Sequence, residues 1–206
     1  MNTAPPIRLF VFDLDDVLCG YDFDHRLNVL ARMTGLEASF IEEVIWTSGF
    51  DEKCDQGNYS ADEYLAGFVE RLGVALSREQ WIRARALSMT PDPGMLGLAR
   101  AVSQTVDVSM LTNNGPLLKE ALPKIIPEIA HIFGENAHFS SDFKAAKPDP
   151  AVFRRLLDHL GHHPEETLFI DDQDDYIAGA KTAGLRTHHF QGIEGLRREL
   201  AGLGVS

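Results

Sequence analysis

Four short stretches of this chain set reactive side chains directly behind apolar residues. "RLFVFDLDDVLCG" (8–20) brings Asp13, Asp15 and Asp16 after a continuous apolar run, and "VSMLTNNG" (108–115) ends in Thr112, Asn113 and Asn114. "KPDPAVF" opens with Lys147, and "ETLFIDDQDD" (166–175) closes on Asp171, Asp172, Asp174 and Asp175. Carboxylates crowded together repel one another and resist burial. A hard divalent cation relieves this, and Mg²⁺ prefers carboxylate oxygens and water. Lys147 adds a further positive charge. Such a set suits phosphoryl transfer. Asp13 can attack phosphorus and form an aspartyl-phosphate. Asp15 lies on the same side if the extended geometry persists for two residues. It can protonate the leaving oxygen and later take a proton from water. Mg²⁺, Lys147, the Thr112 hydroxyl and backbone N–H groups would then hold the phosphoryl oxygens.

These residues act together only if the chain brings them to one edge. The dense apolar run at residues 7–12 reads as a strand buried on both faces, and 106–111, a short β-like stretch at 138–141, "ETLFI" and "LRTHHF" read as further strands. Helical patterns over about 94–104, 116–130, 151–161, 175–184 and 193–202 alternate with them. That alternation predicts right-handed crossovers and a parallel sheet in an α/β fold. Ligands of such sheets bind outside the carboxyl ends of the strands, where all four stretches fall.

Residues 24–89 break the alternation. Asp24 is the expected N-cap of a first helix, which stops at Gly35, and "EASFIEEVIW" predicts a second. Ser60 with Glu63, and Ser77 with Gln80, are capping boxes opening two more. The layout is one strand, an all-helical insertion, then an α/β body, with "TPDPG" (90–94) as the connecting loop.

In order and spacing, the four stretches resemble the signatures of the haloacid dehalogenase (HAD)-like hydrolases, in particular their C1-capped phosphatases. "FDLDDV" is similar to the first motif, "MLTNN" to the second, "KPDPAVF" to the third and "LFIDD" to the fourth. The resemblance implies a Rossmann-like, three-layer core over residues 1–18 and 90–206, with a helical cap over 19–89. It implies Asp13 as nucleophile and Asp15 as general acid/base, with Thr112, Asn113 and Lys147 at the phosphoryl group. The implied Mg²⁺ ligands are Asp13, the backbone carbonyl of Asp15, and Asp172, with Asp171 binding directly or through water. Within the branch the chain looks most like the α-D-glucose-1-phosphate phosphatases and the phosphatase domain of soluble epoxide hydrolases. It departs from the branch at Asp16, where glycine is usual, and at Tyr176, where Asn or Asp is usual. Asp16 reads as a turn residue with the φ that glycine takes easily, since Asp is among the next most tolerant types. Asp174 or Asp175 could stand in for the missing acid at Tyr176. In the cap, "CDQGNYSADEY" (54–64) places Asp55 and Gln56 as substrate contacts, with Tyr21 and His25 as further candidates.

Composition bounds the partners. Nineteen Lys and Arg against 31 Asp and Glu give a net charge of −12, which repels nucleic-acid phosphates and anionic membranes. The expected partner is a small phosphate ester, with no nucleic acid and no membrane. Cys19 and Cys54 form no C-x-x-C pair, and two thiols without a disulfide framework suit a reducing cytoplasm. No histidine has partners at metal-ligand spacing. Two other functions use similar residues. A phosphomutase would return the phosphoryl group to a substrate hydroxyl. A phosphorylated receiver-type switch would need neither the helical insertion nor the acidic pair after the lysine.

Overall fold

The structure is a computed structural model that describes residues 5–205; residues 1–4 of the expected core segment, and residue 206, lie outside it. The chain opens with β1 (Leu9–Phe12). A short strand β2 (Cys19–Tyr21) leads into α1 (Phe23–Thr34), α2 (Ala38–Glu42), α3 (Phe50–Asp55), α4 (Ala61–Leu72) and α5 (Arg78–Leu87), and β3 (Met89–Pro91) returns. Then follow α6 (Pro93–Val102), β4 (Asp107–Thr112), α7 (Pro116–Ile125), α8 (Pro127–Phe133), β5 (Ala137–Phe139) and α9 (Pro150–Leu160). The chain closes with β6 (Thr167–Asp171), α10 (Asp174–Thr182), β7 (Arg186–His189) and α11 (Ile193–Gly202).

The main sheet runs β5-β4-β1-β6-β7, and every pairing is parallel. Central β1 is buried on both faces because helices cover both. Leu9 and Val11 pack with Val152, Phe153 and Leu156 of α9 and with Ile177 and Ala180 of α10. Phe10 and Phe12 face the other way, into the cluster holding Met95 and Ala99 of α6 and Leu196 of α11. Three layers result, and the strand order reverses at β1, which places the carboxyl ends of β4, β1 and β6 around one crevice.

The helical insertion leaves and rejoins the core through β2 and β3, an antiparallel pair in the register Cys19↔Pro91 and Tyr21↔Met89. This ribbon replaces part of the expected loop at 90–94. Three-residue strands are too short to carry a readable alternation. α3 is a helix beyond the four expected. The expected second helix divides into α2 and a π-helical turn, Glu43–Thr47. Asp22 rather than Asp24 caps α1: its Oδ1 accepts from the His25 N–H at 2.7 Å. Both predicted capping boxes are present, Ser60 with Glu63 and Ser77 with Gln80, and Gly35 ends α1 in the left-handed conformation. Among the described residues no helix is long and apolar enough to cross a membrane.

Candidate active site

Asp13 is the first residue past β1, and its N–H donates to the Ile170 carbonyl of β6 at 2.9 Å, so the sheet itself fixes the start of the loop. The chain then turns back within a few residues. Asp16 has φ 61°, its N–H donates to the Cys19 carbonyl at 2.6 Å, and its Oδ1 accepts from the Tyr21 N–H at 3.0 Å. Asp16 is the turn residue, tolerated because a short polar side chain can hydrogen-bond locally in the left-handed region.

Lys147 is the hub of the site. Its side chain is fully buried, and Nζ lies 2.7 Å from Asp13 Oδ1 and 2.7 Å from Asp171 Oδ2. The ammonium also sits 4.7 Å from the centre of the Tyr176 ring. Tyr176 thus meets the lysine with an aromatic face at the position where Asn or Asp is usual in the resembled branch. Asp174 does not substitute for that acid: it is exposed and pairs with His189 at 3.2 Å. Asn113 grips the backbone of Lys147 with both side-chain atoms, Nδ2 donating to the Lys147 carbonyl at 2.8 Å and Oδ1 accepting from its N–H at 2.9 Å. The Asn113 amide therefore positions the lysine instead of reaching for a phosphoryl oxygen. Thr112 is buried and its Oγ1 accepts from Asn114 Nδ2 at 2.8 Å.

Burial pushes the Asp13 carboxyl up to about 8 against the opposing pull of Lys147, while Asp171 and Asp15 push it further up. The two neighbouring carboxylates hold the Lys147 ammonium charged against its own burial. Burial also raises Asp172, with the Gln173 amide opposing. Keeping Asp13 as a carboxylate near neutral pH therefore needs more positive charge than the lysine alone provides. The residues fit a divalent cation. Oxygens of Asp13, Asp171 and Asp172 all lie within 4.8 Å of one another. Asp13 Oδ1 is buried with no well-aligned hydrogen-bond donor, despite the nearby ammonium. Asp171 has both oxygens engaged, Oδ2 with Lys147 and Oδ1 with the Gln173 N–H at 2.8 Å. Asp172 uses Oδ2 on Gln173 Nε2 at 2.6 Å; its backbone carbonyl is braced by His189 Nε2 at 2.9 Å.

Two connected spaces open here. A cavity of about 190 Å³ is lined by Asp13, Asp15, Thr112, Lys147, Asp172 and Tyr21, among others. A cleft of about 710 Å³ shares Asn113, Lys147 and Tyr176 with it and continues to Trp46, Asp51, Asp55 and Gln56 of the insertion. A third space of about 750 Å³ lies at the amino ends of the strands, around Arg8, Asp107 and His162, away from all these groups. Tyr21, Asp55 and Gln56 thus stand around the site. His25 does not: it lines none of these spaces and contributes its N–H to the cap of α1.

The sequence reading missed Arg85, and it placed Asn114 at the strand end without giving it a role. Arg85 is a buried residue of α5 whose Nη2 donates to Asp15 Oδ2 at 2.5 Å. Asn114 Nδ2 donates to the same oxygen at 3.3 Å. Nothing in "REQWIRARAL" distinguishes the arginine that turns inward. A second buried arginine, Arg26, is held between the rings of Trp46 and Trp81, 5.0 Å from each, and donates to the Tyr21 hydroxyl at 3.0 Å.

Comparison with known proteins agrees with this geometry. The haloacid dehalogenase-like hydrolase family matches residues 7–184. Phosphatase MT3486 of Mycobacterium tuberculosis is 28% identical, covering 97% of this chain and 96% of that protein. D-ribitol-5-phosphate phosphatase of Bacteroides thetaiotaomicron is 23% identical, with 94% and 97% covered. Among solved structures, a HAD family enzyme of B. thetaiotaomicron in complex with magnesium and inorganic phosphate superimposes with TM-score 0.77 at 24% identity, covering 88% of this chain and 93% of that one. A HAD-like family hydrolase of Porphyromonas gingivalis gives TM-score 0.80 at 24% identity, covering 95% and 98%.

Proposed function

The chain belongs to the haloacid dehalogenase-like hydrolases, and from that premise we propose that it is a Mg²⁺-dependent phosphomonoesterase of small phosphorylated metabolites, sugar or polyol phosphates in particular. The observation that carries the reading is the buried Asp13–Lys147–Asp171 chain at the carboxyl end of β1, with Asp15 beside it. Relatives that are phosphatases along nearly their whole length support it, as does a related fold solved with magnesium and phosphate. A phosphoglycolate phosphatase of Pseudomonas aeruginosa is also similar, at 27% identity. Ribitol, glycolate and hexose phosphates therefore all belong in the substrate panel.

Asp13 attacks phosphorus while Lys147 and the Thr112 hydroxyl face the phosphoryl oxygens. Asp15 gives a proton to the departing oxygen, then receives one from the water that cleaves the aspartyl-phosphate. Asp13, Asp172 and the Asp15 carbonyl would hold the cation, with Asp171 holding Lys147. When bound, the cation supplies charge neutralisation at the phosphoryl oxygens. Residues 19–89 form the cap, joined to the core (1–18 and 90–206) at the β2–β3 ribbon, and the cleft beside Asp55 and Gln56 receives the leaving group. The two unpaired, buried thiols of Cys19 and Cys54 fit a reducing compartment, the cytoplasm.

A panel of phosphate esters with Mg²⁺ tests the proposal, run beside Asp13→Asn and with EDTA. Hydrolysis by the wild type, lost on substitution or chelation, is expected. Full activity of Asp13→Asn would overturn the mechanism.

A further inference from the structure

Arg85 stands on α5, where Arg78 pairs with Asp62 and Glu120 near the surface, but its own side chain is 1% exposed. Its guanidinium stacks 3.9 Å from the centre of the Tyr21 ring. Nε has no partner, and the carboxylate that the guanidinium touches is Asp15. A buried charge in this state is costly unless its pairing is well made. The pairing is also one-sided. Arg85 Nη2 and Asn114 Nδ2 both converge on Asp15 Oδ2, at 2.5 and 3.3 Å. Arg85 also reaches Asn114 Oδ1 at 3.5 Å, which closes the triangle. Asp15 Oδ1 receives only the weak Cys19 Sγ–H contact at 3.8 Å. One oxygen of this carboxylate is tied and the other is left open.

We propose that Arg85 is a positioning residue, which anchors Asp15 through Oδ2 so that Oδ1 exchanges protons with the reacting groups. The inference rests on the phosphatase reading above. In the first step the bond from Asp13 oxygen to phosphorus forms, the bond to the leaving oxygen breaks, and the Oδ1 proton moves to that oxygen. In the second, a water oxygen bonds phosphorus, the Asp13–phosphorus link breaks, and a water proton returns to Oδ1. Arg85 keeps its charge and its hydrogen bond to Oδ2 throughout. Because Arg85 comes from the cap and Asp15 from the core, the proton donor is fully oriented only when the two are docked.

Leaving groups separate this role from a structural one. Phenolate is about as basic as a tyrosinate, with a pKa of about 10, and needs a proton to depart, whereas p-nitrophenolate departs readily without one. The two phosphates are nearly the same size. For Arg85→Met, kcat on phenyl phosphate is expected to fall at least about tenfold further than kcat on p-nitrophenyl phosphate, within the reach of general acid catalysis. Arg85→Lys, which keeps the charge without the fork, should recover part of the difference. Equal losses on both esters, or a loss confined to KM, would overturn the proposal and leave the phosphatase reading standing. If Arg85→Met does not melt cooperatively, Arg85→Lys alone decides by the same ratio. Failure of the wild type on both esters would be failure of the phosphatase reading itself.

Discussion

Replacing Lys147 by Met keeps an unbranched stem in the buried site and removes the charge that lies near the Tyr176 and Phe169 rings and between Asp13 and Asp171. Both acids are buried, and each sits 2.7 Å from the ammonium. Removing one partner of a buried ion pair costs about 3–5 kcal/mol, because the other charge is left uncompensated. For a chain of this size each kcal/mol shifts the melting temperature by about 2–4 °C, so Lys147→Met without metal should melt about 6–20 °C lower. The pH dependence follows from Asp13. Its carboxyl is raised from 3.8 to about 8 in the folded protein, with Lys147 as the main force holding it down. A raised carboxylic acid makes the folded state bind more protons than the unfolded one, so stability falls as pH rises between those values. Without Lys147 the folded value climbs further, and the loss continues above pH 8. Scanning calorimetry in EDTA from pH 5 to 9 should therefore show a gap between wild type and variant that is steady up to about pH 7 and widens towards pH 9. A gap under about 3 °C at pH 8, or one that narrows as pH rises, would refute this account of the lysine.

Three further outcomes follow from the same geometry. Mg²⁺ at about a hundred times its dissociation constant should stabilise the wild type by about 2.7 kcal/mol in thermal unfolding, and Asp172→Asn should lose most of that gain. Gly179→Ala would place a methyl 2.1 Å from the Pro148 carbonyl, forcing α10 off the segment that carries Lys147. Its melting temperature and its turnover should both drop, the former by the equivalent of about 1–3 kcal/mol for overpacking. Gln56→Ala, at the cleft wall beside Asp55, should reorder the ester panel while changing turnover of p-nitrophenyl phosphate little; equal effects on every ester would remove Gln56 from substrate selection.

What could be read in the sequence was whatever the backbone period or a strand end announces. Leu9–Phe12 had to be buried on both faces, so Asp13 had to stand at the end of a central strand, and the same logic found Thr112 and Asp171. Asp16 was legible as a positive-φ residue because it stands where the resembled branch has glycine and Asp is among the types that tolerate that region. Asp22 was harder: Asp22 and Asp24 flank Phe23, and only the packing of α1 decides which one caps. The β2–β3 ribbon is hidden because its register depends on where the insertion leaves and rejoins the core. Arg85 is hidden for a stronger reason. An arginine on an amphipathic helix ordinarily extends into water, and its inward turn depends on Tyr21 and Asp15, some 64 and 70 positions earlier in the chain. Asn113 carried the right type with a different use, since its amide is consumed by the backbone of Lys147.

Phosphorylation of Asp13 and its release by water is the step that a direct measurement can capture. The direct measurement is a rapid acid quench of the Mg²⁺-loaded protein during turnover of a radiolabelled phosphate ester, followed by peptide mapping. Transient label is expected on the peptide containing Asp13, sensitive to hydroxylamine and absent in Asp13→Asn. Ester hydrolysis at full rate with label on no residue, or with label on a residue other than Asp13, would contradict it.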